Sequence, residues 1–239
     1  MARDKTVLIT GATSGIGKSL CGHYLNQGYN IIPCGRKQIV LDEFEASALS
    51  TLCFDITDDA AINQAASQVK SLDILVLNAG DCRYIEDPIG FDADLFAGIL
   101  NTNLRSMGYL LQAFLPKLNA GGQVVFISSS ATILPFPRSE AYGASKAGVD
   151  YLANSLRLDL AGKNIDVTLV HPGFIKTPLT DKNDFNMPFL LTSNEAALRI
   201  FEGVKARKKY LHFPKRLTWM LKIFSFLPAN IWQFIILRK

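Results

Sequence analysis

Charge is scarce in this chain. Asp, Glu, Lys and Arg make up 19% of its 239 residues, against 49% hydrophobic ones. A disordered chain has the opposite balance, and 17 Gly and 10 Pro are too few for a collagen-like one. Coiled-coil composition is absent as well. Cysteine is sparse and unpatterned: Cys21, Cys34, Cys53 and Cys82 form no Cys-x-x-Cys pair. A chain of this length can build its core without disulfides, so reduced thiols in a cytoplasmic protein are expected, and no metal site. Residues Met1–Lys5 lack a signal peptide's apolar stretch, so export is not expected. There is no internal repeat, low-complexity tract or interdomain linker, which leaves one domain.

Acidic residues are missing altogether from the last 35 positions. Lys205 to Lys239 hold nine basic residues, leaving 16 basic against 21 acidic over the first 204, a net of −5. A nucleic-acid binder would spread its basic face through the fold, so this tail needs a separate explanation.

What is present is alternation. Apolar runs of strand length at 6–10, 29–33, 52–54, 72–77, 123–127, 166–170 and 209–213 are separated by segments of helical period. Helices are predicted from about 15 to 27, from about 39, through 69 behind a cap at Thr57 or Asp58, and at about 93–119, 140–161 and 194–206. Regular β-α-β order predicts a doubly wound parallel sheet of about seven strands, Rossmann-type, with helices on both faces. Ligands of such sheets sit beyond the carboxyl ends of the strands.

At the first such end stands Thr10-Gly-Ala-Thr-Ser-Gly-Ile-Gly17. Glycines permit a tight turn and close approach of backbone to a pyrophosphate, and the following helix offers free N–H groups and a positive dipole end. Its G-x-x-x-G-x-G spacing resembles the short-chain dehydrogenase/reductase family, in its short single-domain branch. Further motifs follow in the family's order: Asn78-Ala-Gly80, Asn101-Thr-Asn-Leu104, Ser128-Ser-Ser130, Tyr142-Gly-Ala-Ser-Lys146, and Pro172-Gly173 with Thr177. The resemblance covers residues 5 to about 180.

The residues themselves suggest the chemistry. Tyr142 and Lys146 stand one helical turn apart on one face. A free tyrosine has a pKa of about 10, and a neighbouring ammonium lowers it toward useful proton exchange. The resemblance implies that Tyr142 is the acid/base, that Lys146 also holds the nicotinamide ribose, that Ser129 bonds the substrate oxygen, and that Asn103 positions a water in a relay to Lys146. Ser128 and Ser130 flank Ser129 but fall on the opposite strand face, and Asn101 competes with Asn103. Cofactor contacts are implied at Gly11, Thr13, Ser14, Gly15, Ile16 and Gly17; at Asp55 and Ile56; at Asn78, Ala79 and Gly80; and at Pro172, Gly173, Phe174, Ile175 and Thr177. Asp55 could equally cap a turn. His171 reads as an interior residue or as a visitor to the site.

The end of the second strand decides the dinucleotide. Gly35 occupies the position where an NAD enzyme would place an acid, and Arg36 follows. A guanidinium bonds a phosphate through two N–H groups, so NADP(H) is preferred over NAD(H), unless Arg36 and Lys37 are only solvated loop charges. The segment 179–191 would form the substrate wall, with Phe185, Met187, Phe189 and Leu190 making it apolar. Residues 1–213 thus form the dinucleotide-binding and catalytic domain. Residues 214–239 form an apolar, basic extension of two short amphipathic helices, separated by Pro228-Ala-Asn230. This tail either lies on an anionic membrane surface, on the inner face, or packs on the fold or a partner subunit. The resemblance implies a homodimer or homotetramer acting on a small-molecule carbonyl or alcohol; a membrane-facing tail would favour a lipid-like one. An NADPH-binding regulatory or scaffold protein is the alternative.

Overall fold

The computed structural model describes residues 5–237; Met1–Asp4, together with the tail cations Arg238 and Lys239, lie outside the described residues. Seven parallel strands form one sheet: β1 (Thr6–Thr10), β2 (Asn30–Gly35), β3 (Leu52–Cys53), β4 (Leu72–Leu77), β5 (Leu118–Ile127), β6 (Asp166–Pro172) and, last in the chain, β9 (Tyr210–Phe213). Their spatial order is β3-β2-β1-β4-β5-β6-β9. The chain leaves β1 toward one edge and returns at β4 toward the other, which opens a crevice beyond the ends of β1 and β4.

Strand alternation sorts the core into two layers. On β1, Leu8 faces one way and joins Leu75, Val124 and Phe126 in a cluster with α3 (Asp59–Ser67), α5 (Ser106–Phe114) and α6 (Glu140–Leu160). Val7 and Ile9 face the other way, with Val76 and Val125, against α1 (Gly15–Asn26) and α7 (Ser193–Lys205). Continuous apolar strands are what a sheet covered on both faces requires. Helix α2 (Gln38–Asp42) is a short segment between β2 and β3. Asp58 caps α3 by accepting a hydrogen bond from the Ala61 N–H, and Thr192 and Glu195 form a reciprocal cap on α7.

Three expectations change. The single helix over 93–119 is interrupted: α4 (Ala93–Leu100) passes through a π-helical turn (Asn101–Arg105) before α5 resumes. Strand β5 begins at Leu118 rather than 123, because Gly121 (φ +78°) and Gly122 let the chain bulge opposite β4. A two-stranded sheet of β7 (Ile175–Lys176) and β8 (Leu191–Thr192) clasps the base of the segment predicted as the substrate wall. In the tail, α8 (Lys215–Phe224) and α9 (Ala229–Leu237) form the two expected helices. No described helix is long and apolar enough to cross a membrane.

Candidate active site

The glycine turn is built for close approach. Gly11 and Gly15 hold positive φ angles of +67° and +52°. A Cβ on Gly17 would stand 2.2 Å from the Gly11 carbonyl oxygen, so the first turn of α1 lies directly on the loop that precedes it. Ser14 occupies the N-cap position in extended conformation without a side-chain cap, and the first turn has no acidic residue. The first N–H groups of α1 are therefore not met by a local carboxylate or hydroxyl, which fits an incoming pyrophosphate. Thr10 and Asn78 tie the turn to β4: the Thr10 hydroxyl accepts from the N–H groups of Asn78 and Ala79, and the Asn78 amide donates to the Thr10 carbonyl at 2.9 Å. Across the crevice Thr177 meets Gly15, where a Cβ would come 2.9 Å from the threonine methyl. An open cleft of about 370 Å³ lies beside this contact, lined also by Lys18, Lys176, Asp181 and Ser193.

At the end of β2 a Cβ on Gly35 would fall 2.6 Å from the Thr13 methyl, so an acid here would have to displace the Thr13 side chain. Arg36 is 76% exposed and lies 3.4 Å from the Asp55 carboxylate. Asp55 also accepts hydrogen bonds from the Thr57 N–H and hydroxyl, both at 2.8 Å. Burial pushes its pKa up, but the bonds from Thr57 and Arg36 outweigh this and hold it below the usual carboxylate value. Ile56 turns its side chain into the core.

The reaction-centre residues meet at the ends of β4 and β5. Asn103 is fully buried in the π-helical turn. Its amide donates to the Asp81 carbonyl and the Ser145 hydroxyl, and its Oδ1 accepts from the Asp81 N–H at 2.7 Å. Asn101 instead pairs with Arg105 on the surface. A Cβ on Gly80 would stand 3.1 Å from Asn103 Oδ1 and 3.4 Å from Lys146 Nζ, so the end of β4, the π turn and α6 share one point. Lys146 is buried and donates to the Ile127 carbonyl at 2.9 Å; its Nζ is 5.9 Å from the centre of the Tyr142 ring. Ser129 interacts with the Tyr142 hydroxyl and caps the following turn. Ser128 is buried the other way and donates to the Lys146 carbonyl.

The electrostatics correct one expectation. Burial pushes the Tyr142 pKa above its ordinary value, with Cys82 adding to the rise and the Ser129 hydrogen bond opposing it. The same burial lowers Lys146 to about 8, partly offset by Cys82 and Asp150. Burial thus outweighs any lowering by the ammonium: the dry surroundings disfavour both charged forms, and the ammonium donates to the Ile127 carbonyl.

Several residues here carried no sequence signal that was read. Ser145 links the site, accepting from Asn103 and donating to the Tyr142 carbonyl at 2.7 Å. Cys82 lies within electrostatic reach of Tyr142 and Lys146, and burial raises its thiol pKa. Tyr84 packs edge-on against Phe185, which in turn meets Phe174. Position alone could have flagged Cys82 and Tyr84, since they directly follow the end of β4. Of the predicted wall residues, Phe185 stands in this aromatic group, Met187 accepts through sulfur from the Asn183 amide, and Phe189 and Leu190 are largely exposed. Ile175 is core, and Pro172 closes β6. Gly173 is fixed by the tail, since a Cβ there would lie 2.7 Å from Leu217. His171 has internal partners, the Asp150 carboxylate at 2.9 Å and the Tyr210 hydroxyl at 3.0 Å. All four cysteines are free.

Residues 5–187 match the sequence model of the family described as short chain dehydrogenase. The chain belongs to that family. Among relatives of this short-chain dehydrogenase, an uncharacterized oxidoreductase from Myxococcus xanthus is 30% identical over 241 residues, covering 96% of this chain and 95% of the other. A probable NADP-dependent dehydrogenase from Haemophilus influenzae is 31% identical, covering 85% and 82%. A short-chain dehydrogenase from Burkholderia cenocepacia in complex with NADP superposes with TM-score 0.87 at 20% identity, over 99% of both chains, a likeness of fold alone. The closed form of a serine dehydrogenase with NADP+ gives TM-score 0.77 at 26% identity, over 87% and 94%. A Burkholderia phymatum member of the fold is in complex with NAD (TM-score 0.82, 20% identity, 92% of each chain). The protein is an oxidoreductase of a family that takes a nicotinamide dinucleotide.

Proposed function

We propose that this short-chain dehydrogenase uses NADP(H) to interconvert a carbonyl and a secondary alcohol, with Tyr142 as the proton-exchanging group. The observation that carries this reading is a chain of contacts: Asn103 and Lys146 meet at Gly80, Lys146 Nζ lies 5.9 Å from the Tyr142 ring, and Ser129 acts on the Tyr142 hydroxyl. The cofactor, when bound, supplies or accepts the hydride. The turn Gly11–Gly17 would hold its pyrophosphate, Asn78–Gly80 and Pro172–Thr177 its nicotinamide half, and Arg36 the 2′-phosphate. The bare Gly35, the exposed Arg36, the NADP-dependent relative and the serine dehydrogenase complex support the phosphorylated cofactor.

Ser129 and Tyr142 present hydroxyls to the substrate oxygen. Because burial raises the phenol pKa, Tyr142 is protonated throughout the neutral range, ready to donate to a carbonyl oxygen as its carbon accepts hydride. The tyrosinate left behind faces a buried ammonium on Lys146. Asn103, locked by Asp81 and Ser145, fixes the polar floor beneath it. The aromatic group Tyr84, Phe174 and Phe185 supports an apolar, lipid-like substrate. The family likeness supports a homo-oligomer.

Replacing Tyr142 by Phe tests the reading. The variant should bind NADPH with unchanged affinity yet reduce none of a panel of ketosteroids, acyl thioesters, quinones and small aldehydes of which the parent reduces at least one. Retained turnover would remove Tyr142 from the role.

A further inference from the structure

Helices α8 and α9 are apolar on two sides. Their inner sides dock on the fold: Leu217, Leu221 and Trp232 are buried with Leu134, against Phe136 and Phe174. The Trp232 indole N–H donates to the Pro135 carbonyl at 2.8 Å. The orientation of both helices is therefore fixed by contacts already made. Their outer sides are largely open, although Trp219 meets the His212 ring edge-on at 5.7 Å. On α8, Trp219, Met220 and Ile223 recur at helical spacing and are exposed, Trp219 by 56% and Ile223 by 63%. Phe226 continues this stripe in the turn between the helices and is 89% exposed, and Ile231 and Ile235 extend it along α9. A soluble helix ordinarily turns charged residues outward on that side.

The charged side chains of α8 are of one sign, Lys215, Arg216 and Lys222, and no Asp or Glu follows Glu202 in the sequence. Arg216 stands one turn before Trp219 and Met220, in line with the apolar stripe, and is exposed. The Lys222 ammonium lies 5.3 Å from the Trp219 ring and 4.5 Å from that of Tyr210, with its stem along the helix.

We propose that the outer face of the α8–α9 pair is a docking surface for an anionic lipid bilayer. Exposed Trp and Phe flanked by Lys and Arg, without a carboxylate, match the chemistry of a headgroup boundary, where apolar groups enter and cations meet lipid phosphates. Neither helix is long enough to cross, so the pair lies on the surface. A second copy of this chain fits less well. A two-fold contact sets a patch against itself, and this patch would bring Lys215, Arg216 and Lys222 against their own copies with no carboxylate between them. The inner residues of the same helices pack on Phe136 and Phe174, the latter in the aromatic group beside the candidate site, so docking would bring that wall to the lipid. This inference goes beyond the oxidoreductase reading and does not depend on it.

Cosedimentation of the full chain with phosphatidylglycerol–phosphatidylcholine vesicles and with pure phosphatidylcholine vesicles tests it. The chain should pellet with the anionic vesicles, less so at high salt, and not with the neutral ones. Ile223→Glu combined with Phe226→Glu, and separately Arg216→Glu, should each weaken partitioning by more than about tenfold. All these positions are exposed, and NADPH binding and melting temperature should stay unchanged as controls on folding. Failure of the folded chain to pellet with anionic vesicles, or equal pelleting of chain and variants, overturns the proposal. So does a dimer in light scattering that the double substitution takes apart, which would assign the face to a second copy.

Discussion

The Lys146 ammonium donates to the carbonyl oxygen of Ile127, the last residue of β5, at 2.9 Å. That bond holds the cation at the strand end, below the Tyr142 ring and beside Asn103, in surroundings that lower its pKa to about 8. Below that pH Lys146 is charged and can offset the tyrosinate formed when Tyr142 gives up its proton. Above it the ammonium is lost and the developing anion is unbalanced. In the reductive direction kcat should therefore fall as pH rises through about 8. Lys146→Arg should not restore the profile, because a guanidinium is longer, planar and does not titrate in this range. A kcat–pH profile of the two proteins, with a flat parental profile up to pH 10 as the contrary result, checks this.

The same shift has a consequence for stability, with the opposite sign. A lysine whose folded pKa lies below its unfolded value binds fewer protons folded than unfolded between about pH 8 and the ordinary lysine value. Stability contributed at this position therefore rises with pH across that window. Lys146→Met removes the titration. Its melting temperature relative to the parent should be highest near pH 7 and should lose ground as pH approaches 10.

The first turn of α1 leaves no room at Gly17. A methyl there would meet the Gly11 carbonyl oxygen, a backbone atom with no rotamer to move. Gly17→Ala should cost about 2 kcal/mol or more in stability. It should also push the α1 N-terminus off the loop, weakening NADPH binding by at least about tenfold, an estimate based on the loss of one charge-assisted bond. Fluorescence titration with NADPH and thermal melting would read both effects.

Arg36 offers a cleaner separation of binding from folding. It is 76% exposed, and its ion pair with Asp55 at 3.4 Å is of the kind worth about 1 kcal/mol or less. Arg36→Ala should leave the melting temperature within about 2 °C of the parent. It should raise KM for NADPH by about tenfold, the value of one lost charge-assisted phosphate bond, with KM for NADH unchanged. Equal effects on both cofactors would show that Arg36 is a solvated loop charge.

These contrasts also mark what the sequence could and could not disclose. Strands such as Leu72–Leu77 were legible because burial on both faces demands an unbroken apolar run. The glycine turn and the Tyr142–Lys146 pair were legible because their spacing is itself the constraint. Asn103 over Asn101 was legible only through the family resemblance, because a π turn resets helical phase and spacing does not show which amide goes inside. The two-residue strands β7 and β8 are too short to leave a pattern. The raised Tyr142 pKa was illegible for a deeper reason: spacing names the neighbours, but desolvation depends on everything packed around them. Two tail helices followed from the Pro228 break, whereas the inward turn of Leu217, Leu221 and Trp232 depends on Leu134 and Phe136, which lie far back in a chain whose tertiary contacts spacing does not encode.

Trp232 decides whether the tail is part of the folded unit. Its ring packs against Phe136 at 5.7 Å and Phe224 at 5.9 Å, and its N–H satisfies the Pro135 carbonyl. Truncating a buried tryptophan in a continuous core costs about 3–5 kcal/mol. Here the anchor sits in the last helix, joined to the body by the 225–228 turn, so the chain can yield locally before it yields as a whole. Trp232→Ala should therefore lower the melting temperature by less than that cost implies, while tryptic cleavage after Lys222 accelerates markedly. The loosened tail also frees Phe174, which joins the tail cluster to the aromatic wall, and KM for apolar carbonyl substrates should rise more than kcat falls. If the melting temperature instead drops by the full about 6–20 °C that such a loss gives a chain of this size, α9 belongs to the cooperative core rather than resting on it.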